Sequence, residues 1–180
     1  MSCAGLEPQP AATPPSSSIA AVAPPDRFEL HGRISVTTQT DTHTGGFHWK
    51  HVLPVDEVWL FSPLGQGVAE LHSSPAGVAL TTGDKQRFEA SDVEQLTLER
   101  LGWRLPLRGL IYWINASPHP ESEANGRRDA QGKLETLEQD GWRLDYLQYH
   151  TAAPRLPRKL AMRRDDLEIR LVIDDWRLSD

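Results

Sequence analysis

The side chains that could bind a metal or move a proton are few, and their spacing argues against a shared site. His48 and His51 lie three residues apart in an alternating stretch. This spacing places them on opposite faces of a strand, where they cannot both bind one ion directly. We therefore expect two surface histidines. Asp165–Asp166 and Asp174–Asp175 stand in predicted turns, where an aspartate side chain caps the nearby backbone.

Covalent catalysis has no more support than metal chemistry. No serine or cysteine stands in a recognisable nucleophile motif, and the sequence has no glycine-rich phosphate loop. We therefore expect no enzyme, no metal site and no cofactor.

A basic cluster near the C-terminus is the next candidate. It consists of Arg155, Arg158, Lys159, Arg163 and Arg164. Two interpretations stay open, a solvated sheet edge and a binding patch. The whole chain carries a net charge of −6. Because phosphate binding needs a basic surface, this charge argues against a nucleic-acid partner.

Cys3 is the single cysteine among 180 residues, so an internal disulfide is excluded. It lies at the extreme N-terminus, next to the small residues Ala4 and Gly5, where a core role is out of place. It is either an incidental thiol or an acylated anchor, with Ser2 ending a cleavage site. Only Met1 and Ser2 precede it, so no secretory signal peptide is visible.

An exposed leucine is predicted next to a buried strand. Val58–Phe61 is a continuous apolar run, which indicates a strand covered on both faces. The following Ser62-Pro63-Leu64-Gly65 fits a type I turn. Leu64 then occupies a central turn position, where side chains point into solvent.

Composition divides the chain into two parts. Residues 1–26 hold Cys3 and a stretch rich in proline, serine and alanine, which we expect to be a disordered tether. Residues 27–180 should form one folded domain with a full core. The sequence contains no run of 18 to 20 apolar residues, so no transmembrane helix is predicted.

Strands dominate the predicted domain. Phe28–Val36 and Phe47–Val52 alternate between apolar and polar residues, and similar stretches recur between turn signals. Two helices interrupt them. The first starts at a capping box, Ser91–Glu94, and stops at Gly102, and the second covers residues 107–114. The fold class expected is an open antiparallel β-barrel of about ten to eleven strands with a helical lid or plug.

Apolar surface in this barrel exceeds what one packing face of a helix or strand requires. Small barrels commonly hold one apolar ligand, so an apolar cavity and ordinary core packing both stay open. The candidate cavity and lid residues are Leu30, Ile34, Trp49, Trp59, Phe61, Leu107, Leu110, Ile111 and Ile114.

Several stretches together resemble the LolB family, the outer-membrane receptors of the bacterial lipoprotein-sorting pathway. They are Phe28–Val36, Phe47-His48-Trp49, Ser62–Gln66, Gly102–Leu107, Leu110–Trp113, Gln139–Trp142 and Leu156-Pro157. These stretches occur in this order over about residues 27 to 178, which is nearly the whole predicted domain.

The resemblance implies an open barrel with helices at its mouth and an apolar cavity for acyl chains. It implies a protein anchored through acylated Cys3 to the periplasmic face of the outer membrane, with residues 4–26 as its tether. The implied partners are a LolA-like periplasmic carrier, acylated lipoprotein cargo and outer-membrane lipid, and we expect a monomer. The family's exposed loop leucine, needed for delivery of cargo to the membrane, falls on Leu64. The main alternative is a periplasmic, lipocalin-like binder of a small free hydrophobe.

Overall fold

The computed structural model describes residues 17–178 as twelve strands and two helices. In chain order these are β1 Ser17–Ser18, β2 Arg27–Thr37, β3 Thr42–Val52, β4 Val55–Phe61, β5 Gly67–Ser74, β6 Gly77–Thr82, β7 Arg87–Ala90, α1 Val93–Leu101, α2 Leu107–Trp113, β8 Ala124–Arg128, β9 Leu134–Gln139, β10 Trp142–Tyr149, β11 Pro157–Arg164 and β12 Leu167–Leu178. Among these described residues, neither helix has the length and apolarity needed to cross a bilayer.

The strands form one antiparallel sheet in the order β1-β8-β9-β10-β11-β12-β2-β3-β4-β5-β6-β7. The first long strand, β2, pairs with the last, β12. In the described part of the chain the edge strands β1 and β7 do not pair with each other, so the sheet is open. The predicted fold class is confirmed. Eleven longer strands are present, and the two-residue β1 adds a twelfth.

Alternation along the strands decides which face of the sheet is buried. In β2, Phe28, Leu30 and Val36 are buried, whereas Arg33 is exposed. Matching side chains from the other strands and from both helices pack with them into one apolar cluster. We call the face that carries this cluster the inner face and the opposite face the outer face. Burying each large apolar side chain there contributes about 1.5–3 kcal/mol.

Strand β4 departs from the prediction of two covered faces. Val58 is buried, but Trp59 and Phe61 are half-exposed. The register gives the reason, because Val58 pairs with core Trp49 while Trp59 pairs with His48 on the outer face. A continuous apolar run can therefore alternate between core and surface when its outward residues are aromatic.

Close approach of two strands fixes one glycine in β2. A Cβ atom at Gly32 would clash with the Val172 carbonyl oxygen and would stand 2.8 Å from the Phe47 ring. Next to this point β12 carries a register shift between Ile173 and Asp175. Gly32 thus lets the sheet bend where the first and last long strands meet.

The start of α1 corrects the predicted capping box. Asp92, not Ser91, is the N-cap, and its carboxylate accepts a hydrogen bond from the Gln95 backbone N–H at 2.7 Å. Asp92 has the extended backbone (φ −130°, ψ 130°) that an N-cap adopts. The predicted end is confirmed, since Gly102 follows the helix with φ 81°.

The segment before β2 lies along the domain. Ser17–Ser18 pair with β8, and Ile19 packs against the apolar cluster. Ser117 Oγ accepts from the Val22 backbone N–H at 2.8 Å and donates to the Val22 carbonyl at 3.1 Å. Residues 17–26 of the predicted tether therefore contact the folded part. Cys3 and residues 4–16 lie outside the described residues.

Candidate functional site

Leu64 stands at the tip of the turn between β4 and β5. The Gly65 N–H donates to the Ser62 carbonyl at 2.9 Å, which closes a β-turn with Pro63 and Leu64 at its corners. Gly65 follows with φ 80°. Leu64 is 89% exposed, which matches the position predicted for it. A fully exposed leucine gives up about 2 kcal/mol of burial, and Leu64 is the most exposed large apolar side chain in the described part of the chain.

An apolar cleft of about 560 Å³ opens beside this turn. Its walls come from β2, the start of β3, the β4–β5 turn and the end of α1. The lining residues are Ile34, Val36, Thr42, His43, Thr44, Gly45, Leu60, Phe61, Ser62, Pro63, Val68, Arg100, Leu101 and Trp103. This volume falls within the roughly 300–1,000 Å³ of small-molecule sites. We call it the turn cleft.

The inner part of the turn cleft is apolar and its rim is polar. Val36 and Trp103 are buried, and Ile34, Leu60 and Leu101 pack partly buried against the core cluster. The rim carries threonine and histidine side chains from β3. It also carries a cation, Arg100, whose guanidinium lies 3.8 Å above the Phe88 ring. Such a site fits an aliphatic chain whose polar end stays at the surface.

A second cleft of about 460 Å³ lies on the other side of Trp103. It is lined by Thr38, Gln39, Thr40, Leu98, Gly102, Trp103, Arg104, Trp142, Arg164, Asp165, Asp166 and Leu167. Trp103 belongs to both clefts and is only 6% exposed. The C-terminal end of α1 and the turn after it therefore form the partition between two neighbouring clefts.

Helix α1 packs against the rest of the domain on one side only. Leu96 and Thr97 are its buried residues. Thr97 Oγ1 accepts a hydrogen bond from the Leu105 backbone N–H at 3.0 Å, which ties the helix to the segment that follows it. The rest of α1 is exposed or partly buried, as expected for an element that covers a cleft from outside.

Helix α2, in contrast, is fixed deep in the fold. Leu107, Leu110 and Trp113 are buried, and the Tyr146 hydroxyl donates to the Trp113 carbonyl at 2.9 Å. Ile114, which follows the helix, is fully buried. Helix α2 therefore plugs the inner face of the sheet, and this gives no support to a lid role for the candidates Leu107, Leu110, Ile111 and Ile114.

The predicted cavity residues divide into four groups. Ile34 lines the turn cleft. The buried residues Leu30, Trp49, Leu110 and Ile114 lie inside the packed cluster, while Leu107 and Ile111 border a separate, polar cleft. Phe61 at the end of β4 also lines the turn cleft, whereas Trp59 lies on the outer face beside His48, away from the turn cleft.

The turn cleft also contains apolar residues that were not among the predicted cavity residues, namely Leu60, Val68, Leu101 and Trp103. For Leu60 a signal was present. Strand alternation from buried Val58 would have put Leu60 rather than Trp59 on the inner face.

A polar cleft of about 620 Å³ beside α2 contains serine, histidine and aspartate side chains. His119 Nε2 bonds to Asp140 Oδ2, and the Ser122 hydroxyl lies 3.4 Å from the same nitrogen. A catalytic triad needs the carboxylate and the hydroxyl on different ring nitrogens. Here His119 Nδ1 instead accepts from the Glu121 backbone N–H at 3.3 Å. This arrangement does not build a nucleophile.

His51 corrects the expectation of two surface histidines. His48 is half-buried on the outer face, but His51 is 2% exposed on the inner face. His51 Nδ1 and Trp49 Nε1 each lie 2.8 Å from Asp56 Oδ1, and the Phe28 ring stacks on His51. The opposite orientation of the two histidines agrees with the prediction.

Comparison with known proteins identifies the relatives of this chain. The family model described as outer membrane lipoprotein LolB matches residues 26–176. The outer-membrane lipoprotein LolB of Thiobacillus denitrificans is 42% identical over 174 residues, which is 97% of this chain and 89% of that protein. The protein of the same name from Nitrosomonas europaea is 38% identical, over 83% of this chain and 72% of its own length.

Solved structures share the fold at low identity. A LolA superfamily protein from Nitrosomonas europaea superposes with a TM-score of 0.56 at 10% identity, covering 88% of each chain. A DUF1329 family protein from Desulfovibrio piger gives a TM-score of 0.55 at 6% identity, covering 86% of each chain.

Proposed function

The chain belongs to the outer membrane lipoprotein LolB family, and from this premise we propose that it is an outer-membrane receptor for lipoproteins. It accepts acylated lipoproteins from a LolA-like periplasmic carrier and inserts them into the inner leaflet of the outer membrane. The observation that carries the proposal is a leucine 89% exposed at the tip of a turn that also lines an apolar cleft.

The task follows from the cost of exposing acyl chains to water. Each CH₂ group is worth ~0.8 kcal/mol, so one long chain costs on the order of 10 kcal/mol. The carrier must therefore pass its cargo without releasing it. The turn cleft would take up an acyl chain along Ile34, Leu60 and Trp103, while the cargo's polar part stays at the rim near Arg100.

Transfer needs no nucleotide and no covalent step on the protein, and we propose that the chain is not an enzyme. Cargo moves forward when the cleft binds acyl chains better than the carrier does and the bilayer binds them better still. Leu64 then inserts into lipid beside the exit of the cleft. A turn holds it there, so delivery does not require refolding of the sheet.

The moving element in this proposal is α1 rather than α2. Displacing α1 together with Trp103 would join the turn cleft to its neighbour and lengthen the groove. Helix α2 keeps the sheet filled during this movement, because its buried side chains and backbone are bonded to β9 and β10.

The N-terminus supplies the anchor. Acylated Cys3 would hold the chain at the periplasmic face of the outer membrane. Residues 17–26 contact the domain, so only residues 4–16 separate Cys3 from the first contact with it. Thirteen residues span at most about 45 Å, which keeps a monomeric receptor, and Leu64 with it, close to the lipid.

A transfer assay tests the proposal. A LolA–lipoprotein complex is incubated with the non-acylated chain, and the partner that co-purifies with the cargo is identified. We expect the cargo on this chain, and its acyl groups protected from an added lipase. Cargo that stays on LolA, with a free lipid found in the cleft by mass spectrometry, would instead favour the lipocalin-like alternative.

A further inference from the structure

Two histidines and a glutamate lie close together on the outer face of the sheet, away from the turn cleft and the cleft next to it. His31 on β2 pairs in register with His48 on β3, and Glu29 lies two residues before His31. The imidazole rings of His31 and His48 stack with centroids 4.1 Å apart and planes 10° from parallel. Glu29 Oε1 lies 2.7 Å from His48 Nε2 and 3.3 Å from His31 Nε2.

The geometry of this trio fits a metal ion. Its three ligand atoms lie within 4.8 Å of one another. A tetrahedral zinc site with bonds of ~2.0–2.1 Å separates its ligand atoms by about 3.3 Å. The side chains of His31, His48 and Glu29 are between one quarter and two fifths exposed. Because the imidazole lone pairs lie in the ring planes, the two stacked rings tilt toward each other when they bind one ion.

The two cations that neighbour Glu29 in register each contact another carboxylate, so the Glu29 carboxylate bonds to the histidines. In register, Glu29 has Arg177 on one side and Lys50 on the other. Arg177 Nε donates to Asp175 at 3.1 Å, and Lys50 Nζ lies 3.8 Å from Glu57.

We propose that Glu29, His31 and His48 form a binding site for a divalent transition-metal ion of the Zn²⁺ or Cu²⁺ type. Two imidazole nitrogens and one carboxylate oxygen are the donor set these ions prefer, whereas Mg²⁺ and Ca²⁺ prefer oxygen ligands alone. The remaining positions on the ion are open to water or to a group from another molecule. The site is independent of lipoprotein transfer, since it uses the opposite face of the sheet.

Trp59 provides a built-in reporter. Its ring stacks on His48 with centroids 4.8 Å apart, so a Cu²⁺ ion held by His48 would quench its fluorescence. Trp59→Phe should remove most of that signal and leave the affinity unchanged.

Calorimetric titration with ZnCl₂ tests the site. The full chain is used without a polyhistidine tag and with Cys3→Ala, so that no thiol competes. We expect saturable binding of one Zn²⁺ per chain, at least about tenfold weaker in His48→Asn and in Glu29→Gln. MgCl₂ should give no binding heat.

His72→Gln is the matched control. His72 Nδ1 lies 4.0 Å from Glu57, so it forms a half-exposed histidine–glutamate pair that lacks a second histidine. The His72→Gln variant should bind Zn²⁺ with the affinity of the parent. Circular dichroism should show that all variants are folded. Absence of saturable binding in the parent, or equal Zn²⁺ affinity in the parent and His48→Asn, would overturn the site.

Discussion

The indole N–H of Trp113 donates a hydrogen bond to the side-chain oxygen of Gln139 at 2.8 Å. The same oxygen accepts from the His119 backbone N–H at 3.0 Å. The Gln139 amide nitrogen donates to the carbonyls of His119 and Ser122 at 2.8 and 3.1 Å. One buried side chain thus joins α2, the following loop and β9, and this makes α2 a fixed plug.

Replacing Gln139 with leucine should therefore destabilise the whole domain. The change leaves buried N–H and carbonyl groups without partners, each costing about 1–3 kcal/mol. We expect the free energy of unfolding in urea to fall by about 3 kcal/mol or more. Gln131→Leu, in an exposed turn, is the control and should change it by less than about 0.5 kcal/mol. Equal values for the two variants would show that the network does not hold α2.

Replacing Leu64 with glutamate should block delivery and spare the fold. A charge at this tip opposes insertion into lipid but removes almost no burial, so the free energy of unfolding should change by less than about 0.5 kcal/mol. We expect cargo to move from LolA to the variant and to stay there when liposomes are added. Leu147→Glu is the matched control, because Leu147 is also exposed (62%) but lies on β10. Delivery by Leu64→Glu at the rate of Leu147→Glu would refute the role of Leu64.

Capping residues test the start of α1. Asp92→Ala removes the side-chain acceptor at the N-cap and should lower the free energy of unfolding by about 1 kcal/mol. Ser91→Ala removes the neighbouring hydroxyl and should have little effect. Hydrogen exchange of the α1 amides, measured in both variants, should be faster in Asp92→Ala only. Faster exchange in Ser91→Ala instead would restore the capping box predicted from sequence.

The glycine at the β2–β12 junction tolerates no side chain. Gly32→Ala forces a methyl group against the Val172 carbonyl oxygen and the Phe47 ring, and should cost about 2 kcal/mol or more. Gly67→Ala is the control, since an added Cβ there meets no described atom within 4 Å. Thermal unfolding of the two variants measures the difference. Similar melting temperatures would mean that the strands can move apart freely.

Acid stability should depend on Asp140. Burial raises its pKa, but hydrogen bonds to His119 and Ser122 outweigh this, and the pKa of Asp140 is lowered overall. The ionised form is thus favoured on folding. The resulting stability is present above the unfolded pKa of about 3.9 and is lost as the pH falls through the lower folded value. Asp140→Asn tolerates the same left-handed turn and should lose less stability between pH 5 and 2 than the parent does.

Alternation and turn chemistry made most of the sheet predictable. An Asp-Gly pair between two alternating stretches indicates a primed hairpin turn, and Asp140 and Gly141 form one, with φ of 52° and 77°. The second strand is longer than the predicted Phe47–Val52, because β3 already begins at Thr42. Local pattern does not reveal where a strand continues through small and polar residues such as Thr44 and Gly45.

The candidate sites were harder to predict because they depend on pairing between strands. Trp59 reads as core from its apolar neighbours, but the β3–β4 register carries it to the outer face beside His48. His48 itself was weighed against His51, three residues away, whereas its structural partner is His31, which β2 brings alongside. Leu64 was predictable, since the turn motif alone determines its exposure.

The pairing of β2 with β12 has a consequence for biosynthesis. The residue pairs between these strands run from Thr37 with Glu168 to Phe28 with Leu178. Because a chain is synthesised from its N-terminus, β2 is made early and β12 is made last. Pairing over so large a sequence separation is slow, and the centre of the sheet closes only when the whole domain is available. The sheet is therefore completed after synthesis of the domain rather than during it.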